Sequence, residues 1–98
     1  MPLTFVDVLS ANSERRVVRF MASTGEEQVV CAVSFEALDD EDRASGVKQA
    51  ERTEQFARHR RRVMEAASRL FFAGKVDFST DPVVLVDRAA LQAVPRNL

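Results

Sequence analysis

The sequence predicts an α+β domain: a small β-sheet, made of an N-terminal β-hairpin plus a C-terminal strand, packed on one long amphipathic helix, with a short terminal helix. Three observations predict it. Two β-rich runs, Arg16 to Ala22 and Gln28 to Ser34, flank a short connection containing Gly25, the pattern of a hairpin. Apolar residues then recur at helical spacing between Phe56 and Phe71. Finally, Val83-Val84-Leu85-Val86 is a continuous run of strand formers, the pattern of a strand buried on both faces.

In the hairpin, a symmetric loop over Ser23 to Glu26 sets Phe20 opposite Val29, Val18 opposite Cys31 and Arg16 opposite Val33. One face then carries Val18, Phe20, Val29, Cys31 and Val33. A slip of one residue would turn every side chain over, so pattern and register support each other. The opposite face, with Val17, Arg19, Met21, Val30 and Ala32, is too apolar for a solvent face. The N-terminal segment, with Leu3, Phe5, Val6, Val8 and Leu9, is one candidate cover and a second subunit is the other.

Ser34 is a suitable N-cap for a short helical turn, Phe35 to Asp39, with Glu36 in its first turn. The acidic run Asp39, Asp40, Glu41 and Asp42, leading to Ser45 and Gly46, reads as an exposed loop. From Val47 to Ala73 the chain reads as one helix. Phe56, Val63 and Leu70 recur every seven residues, as do Ala57, Met64 and Phe71, with Ala67 between the tracks. Glu54 with Arg58, Arg61 with Glu65, and Glu65 with Arg69 have i,i+4 spacing. Gly74 is a natural stop, with Lys75 at the negative end of the dipole. A helix of about 26 residues spans roughly 39 Å, more than a hairpin can cover, so its apolar-poor start, Val47 to Thr53, is expected to project or fray. After a turn around Ser79, Asp81 and Pro82 comes the last strand, and Asp87 caps a terminal helix, Arg88 to Val94, ended by Pro95.

Ninety-eight residues with 46% hydrophobic and 30% charged side chains suit a single domain, 1–98, with its core over about 5–94. Cys31 is the one cysteine, which excludes an intrachain disulfide. Met1 to Ser10 lacks the pattern of a signal peptide and no apolar run is long enough for a membrane span, so a cytoplasmic location is expected and no membrane partner. Net charge is −1 although 12 of the 14 basic residues are arginine, so nucleic-acid binding would have to come from a local patch.

No catalytic, metal or cofactor signature is present. The three glycines form no phosphate-binding loop. His59 lies among Arg58, Arg60, Arg61 and Arg62, whose charge discourages a bound cation. Cys31 falls on the inward face, where a thiol is a small core residue. The acidic run lacks the ligand spacing and central glycine of a calcium loop. Arg58, Arg61, Arg62 and Arg69 can share one exposed side of the helix and form the candidate interaction surface. Arg60, at the edge of the apolar stripe, has two readings: its side chain snorkels to solvent, the usual behaviour at such a position, or it reaches the cluster of Glu36, Asp39, Asp40, Glu41 and Asp42 within the chain or from a second subunit.

Several stretches together resemble a known family: Arg16-Val17-Val18-Arg19-Phe20, Val30-Cys31-Ala32-Val33-Ser34, Phe35-Glu36-Ala37-Leu38, Phe56-Ala57-Arg58-His59-Arg60, Ala66-Ala67, and Val83-Val84-Leu85-Val86 leading to Leu91. Over roughly Phe5 to Leu91 the chain resembles domain-of-unknown-function family 1488, small bacterial proteins. The resemblance implies a small α+β domain with no assigned activity, and it carries over no catalytic residues.

The expected function is a non-enzymatic protein-interaction module forming a homodimer. Two other classes stand beside it: weak nucleic-acid binding through the arginine-rich helix face, and a small-ligand binder or enzyme with a pocket between helix and sheet.

Overall fold

The computed structural model describes residues 3–43 and 46–95. The expected loop at Ala44 and Ser45 lies outside the described residues. Four strands, β1 (Thr4–Asn12), β2 (Val17–Ser23), β3 (Gln28–Ser34) and β4 (Val84–Val86), form one sheet in the order β1-β2-β3-β4. The first three are antiparallel neighbours and β4 runs parallel to β3. Between β3 and β4 the chain forms α1 (Phe35–Asp42), a 3-10 turn (Gln49–Glu51) and α2 (Arg52–Phe72), and α3 (Arg88–Gln92) follows β4.

The hairpin is β2-β3, in a register two residues from the expected one: Phe20 pairs with Cys31, Val18 with Val33 and Ala22 with Val29. Thr24 decides this. Its backbone N–H donates to Glu27 O (3.0 Å), and its hydroxyl oxygen accepts from the N–H groups of Glu26 (3.2 Å) and Glu27 (3.1 Å). The loop is therefore Thr24 to Glu27, and Gly25 takes the positive φ (99°) that it requires. A shift by two keeps every side chain on its face, so Val18, Phe20, Val29, Cys31 and Val33 are all buried in the core as expected. Arg16 lies outside the strand.

The N-terminal segment does not cover the second face of the hairpin. It is the edge strand β1, paired with β2. Two register shifts, between Phe5 and Asp7 and between Val8 and Ser10, each insert one residue. These bulges let Phe5, Val8 and Ala11, spaced by three, all turn to the core. The β4 strand also differs from expectation: Val84 and Val86 are fully buried, while Leu85 faces out and is 48% exposed.

Ser34 caps α1, its hydroxyl accepting from Ala37 N–H (3.1 Å). The helix continues through the acidic run to Asp42 instead of ending at Asp39. The main helix starts at Arg52 behind the 3-10 turn, and Gly74 (φ 77°) turns the chain just beyond its end. Phe56, Val63, Ala66 and Ala67 form its buried stripe, with Met64, Leu70 and Phe71 half-buried. Ala57, expected in that stripe, is exposed, and Ala66 takes the inward place. Asp87 caps α3, accepting from Ala90 N–H (2.8 Å).

One hydrophobic cluster joins these elements. The rings of Phe5, Phe20 and Phe56 form its centre, with centroid separations of 6.5 Å (Phe5–Phe20), 5.9 Å (Phe5–Phe56) and 5.1 Å (Phe20–Phe56). Leu38 of α1 and Leu91 of α3 close the same core beside Val33 and Val86. The sheet contributes residues from one face alone, so all three helices pack on that face.

Candidate functional site

The start of α2 does not project. Gln49 Nε2 donates to Ala11 O (2.7 Å), and Arg52 and Gln55 are buried. What holds them is a polar junction with α1. Arg52 Nη1 donates to Asp39 Oδ1 (2.6 Å) and to Gln55 Oε1 (2.8 Å), and its guanidinium lies 4.1 Å from the centroid of the Phe35 ring. Gln55 Nε2 donates to Asp39 Oδ1 (3.0 Å) and to Asp42 Oδ2 (3.0 Å). Asp42 also accepts from Arg58 Nη2 (2.8 Å) and pairs with His59 Nε2 (2.6 Å). Since a carboxylate only accepts, Nε2 carries the proton in that contact. Arg52 Nε is buried without a partner, so satisfaction here is nearly but not fully complete.

The junction continues to α3. Arg62 Nε donates to Glu41 Oε1 (2.6 Å), whose side chain is only 3% exposed. The same guanidinium donates to the carbonyls of Leu91 (3.0 Å), Val94 (3.2 Å) and Pro95 (3.4 Å). Asp40 pairs with Arg88 (3.5 Å) and accepts from Gln92 Nε2. The acidic run, expected as a loop, is thus a helical turn in which each carboxylate meets a cation from another helix.

These contacts redistribute the candidate arginines. Arg62 is consumed by Glu41 and the α3 carbonyls, and Arg58 is paired with Asp42 and with Glu54 (3.8 Å). Arg69 pairs with Glu65 (3.9 Å), and Arg61 is exposed. Among the described residues Glu65 has its ion pair with Arg69 and not with Arg61. Arg60 does not reach the acidic cluster; its guanidinium lies 4.8 Å from the centroid of the Phe5 ring. The four arginines therefore do not form one free patch. Arg52 and Gln55 were absent from the expected site. The available signal was spacing, because Arg52, Gln55, His59 and Arg62 recur every three or four residues and form a polar stripe beside the apolar one.

Burial pushes the Asp42 carboxyl up, but the hydrogen bonds from His59, Gln55 and Arg58 outweigh it and hold the group down at about 2. Burial opposes and Arg52 with Gln55 prevails at Asp39 too, which is lowered. A depressed native pKa means that the unfolded chain takes up the proton first as pH falls. The stabilisation from Asp42 is therefore complete above about pH 4, the ordinary carboxylate range, and is lost as pH falls through about 2. Acid titration by circular dichroism is expected to lose part of this pH dependence in Asp42→Asn; an unchanged acid limb would contradict the assignment.

Cys31 is buried in the core and burial pushes its thiol up to about 12, which removes it as a nucleophile at neutral pH. Among the described residues no cluster of His, Cys, Asp and Glu could hold a metal ion, and no helix is long and apolar enough to cross a membrane. Between α2 and the sheet, Phe56, Val63 and Ala67 share one buried cluster with Phe20, Cys31 and Val84. An open recess of about 380 Å³ lies between α1 and α3, lined by Glu36, Asp87, Arg88, Ala89 and Gln92.

Among the described residues, large apolar side chains are exposed in two regions. On or beside the second face of the sheet, Val6 (45%) and Leu9 (42%) of β1 and Leu85 (48%) of β4, at the two opposite edges, are exposed, Met21 and Val30 between them are half-buried, and Val17 and Ala32 are buried. Asp81 reaches toward this face, taking the Arg19 guanidinium through both oxygens (3.1 and 2.6 Å) while its carbonyl accepts from Arg15 Nη1 (2.8 Å). At the end of α2, Phe72 and Phe78 are exposed and both meet Phe71 edge-on.

A family model described as "Protein of unknown function (DUF1488)" matches residues 3–80. The chain is similar in structure to a crystallised protein of unknown function from the same family of Shewanella loihica PV-4, with a TM-score of 0.75, 16% sequence identity, and coverage of 89% of this chain and 93% of that one. At that identity the likeness shows the fold. No curated protein matches the chain.

Proposed function

The chain belongs to the DUF1488 family of proteins of unknown function, and we propose that within it this domain is a non-enzymatic protein-contact module that pairs with a second copy across the open face of its sheet. The observation that carries the reading is that exposed Val6 and Leu9 at one edge and Leu85 at the other, with half-buried Met21 and Val30 between them, line a face that none of the helices covers. Exposed apolar patches of this kind mark contact surfaces. The face is favoured over the edge of β1, because that edge is interrupted by two bulges, which blunt strand-to-strand pairing. Two other grounds for a partner lapse: the start of α2 is docked on α1, and the acidic run and the arginines satisfy one another within the chain.

Sedimentation at tens of micromolar is expected to give a dimer. Leu9→Glu with Leu85→Glu should convert it to a folded monomer with unchanged circular dichroism. A wild-type chain that stays monomeric overturns the pairing. The setting that accompanies this reading is a bacterial cytoplasm, in keeping with a single, buried, free cysteine.

Weak nucleic-acid binding is the other proposal, carried by the exposed guanidinium groups of Arg58, Arg61 and Arg69. With Arg62 engaged elsewhere, few phosphate contacts are available and the salt dependence of such binding would be shallow.

A further inference from the structure

The eight residues of α1, Phe-Glu-Ala-Leu-Asp-Asp-Glu-Asp, are poorly suited to a helix. An isolated helix of this length does not form in water. Aspartate is a weak helix former. Four successive acids at the C-terminal end oppose the helix dipole, and Asp39 and Asp42, three apart, repel each other. Only Phe35, Ala37 and Leu38 enter the core, and all three lie in the first half. The second half is held by cations from elsewhere: Arg52, Arg58, His59 and Arg62 of α2, and Arg88 of α3, with Gln55 and Gln92 adding hydrogen bonds. Arg16, at the entry to β2, adds positive potential at Asp39.

We infer that the second half of α1 is an ionic latch, which opens and closes locally over the α2–α3 layer while the sheet stays folded. The latch is independent of the proposed pairing, since it lies on the helical side of the sheet and the pairing face on the other. Opening detaches Asp39 to Asp42 and releases the carboxylate contacts of Arg52, Arg58, His59 and Arg62 together, while Arg62 keeps its bonds to the carbonyls of Leu91, Val94 and Pro95. Arg52 and His59, with Gln55, belong to the polar stripe of α2, so the open form uncovers a basic part of that stripe that the closed form covers, next to Arg58, which is already half-exposed. The strands have a different stability. Their hydrogen bonds sit in the centre of the hydrophobic cluster and break only with the whole fold.

Native-state hydrogen exchange read by mass spectrometry, with rates corrected for intrinsic exchange, tests this. In the wild-type chain, peptides covering Leu38 to Asp42 should exchange at least tenfold faster than those of β2 and β3, and raising salt should widen the gap by weakening the ion pairs. In Asp42→Asn the α1 peptides should gain a further severalfold in rate with β2 and β3 unchanged. Equal protection of α1 and the strands, moving together with salt, would overturn the latch. If Asp42→Asn does not fold, the wild-type salt series decides alone.

Discussion

Phe56→Ala is expected to lower the unfolding free energy by about 3–5 kcal/mol, the range for deleting a buried aromatic side chain. Phe56 is fully buried and joins Phe5 and Phe20, so the change opens a void where three rings meet. The surroundings have little freedom to collapse. Phe20 is fixed in the central pair of strands, and Phe5 is held between the core and the Arg60 guanidinium. A chain of this size has about 5–15 kcal/mol in total, so the variant should lose a large share of its stability. Urea denaturation checks it: a loss under about 1 kcal/mol, the value for a surface substitution, would mean that the ring triad is not the centre of the core.

Arg52→Met should cost about 3 kcal/mol or more, because Asp39 then keeps its charge in a mostly buried position with Gln55 as its one remaining close donor. The companion double variant, Arg52→Met with Asp39→Leu, should regain much of that loss, since removing both charges also removes both desolvation costs. The orphaned Arg52 Nε adds to the expectation, as a methionine there buries no unsatisfied donor. Denaturant curves for the two single variants and the pair give the coupling directly. Additive losses would show that Arg52 and Asp39 do not depend on each other.

The parts of the fold legible in the sequence are those with a local signature. Alternation in β2 and β3 assigned each side chain to its face, and the helical recurrence of Phe56, Val63 and Ala67 identified the stripe that covers the sheet. The hairpin register was not local in the same way, because it depended on which residue closed the loop, and the Thr24 hydroxyl moved that closure by one position. The β1 strand escaped because its two bulges convert a period of two into a period of three. The junction was the least legible. Nothing near Asp42 announces a histidine 17 positions later, and the helix through Asp39 to Asp42 exists against its own propensity. Tertiary charge pairing overrode the local preference there, which is why an apparent solvent loop proved to be a contact.

Arg62 has an evolutionary consequence. It holds the end of α3 through the carbonyls of Leu91, Val94 and Pro95, and those acceptors exist whatever side chains the residues bear. The arginine therefore recognises a path of main chain and reads no letters of the C-terminal sequence. Residues such as Ala89 and Ala93, both exposed, are free to drift without loosening the attachment, so long as Leu91 and Val94 still fill their places in the core. The exposed positions of the last helix thus carry little of its attachment, which rests on Arg62, on the Asp40 contacts to Arg88 and Gln92, and on buried Leu91 and Val94.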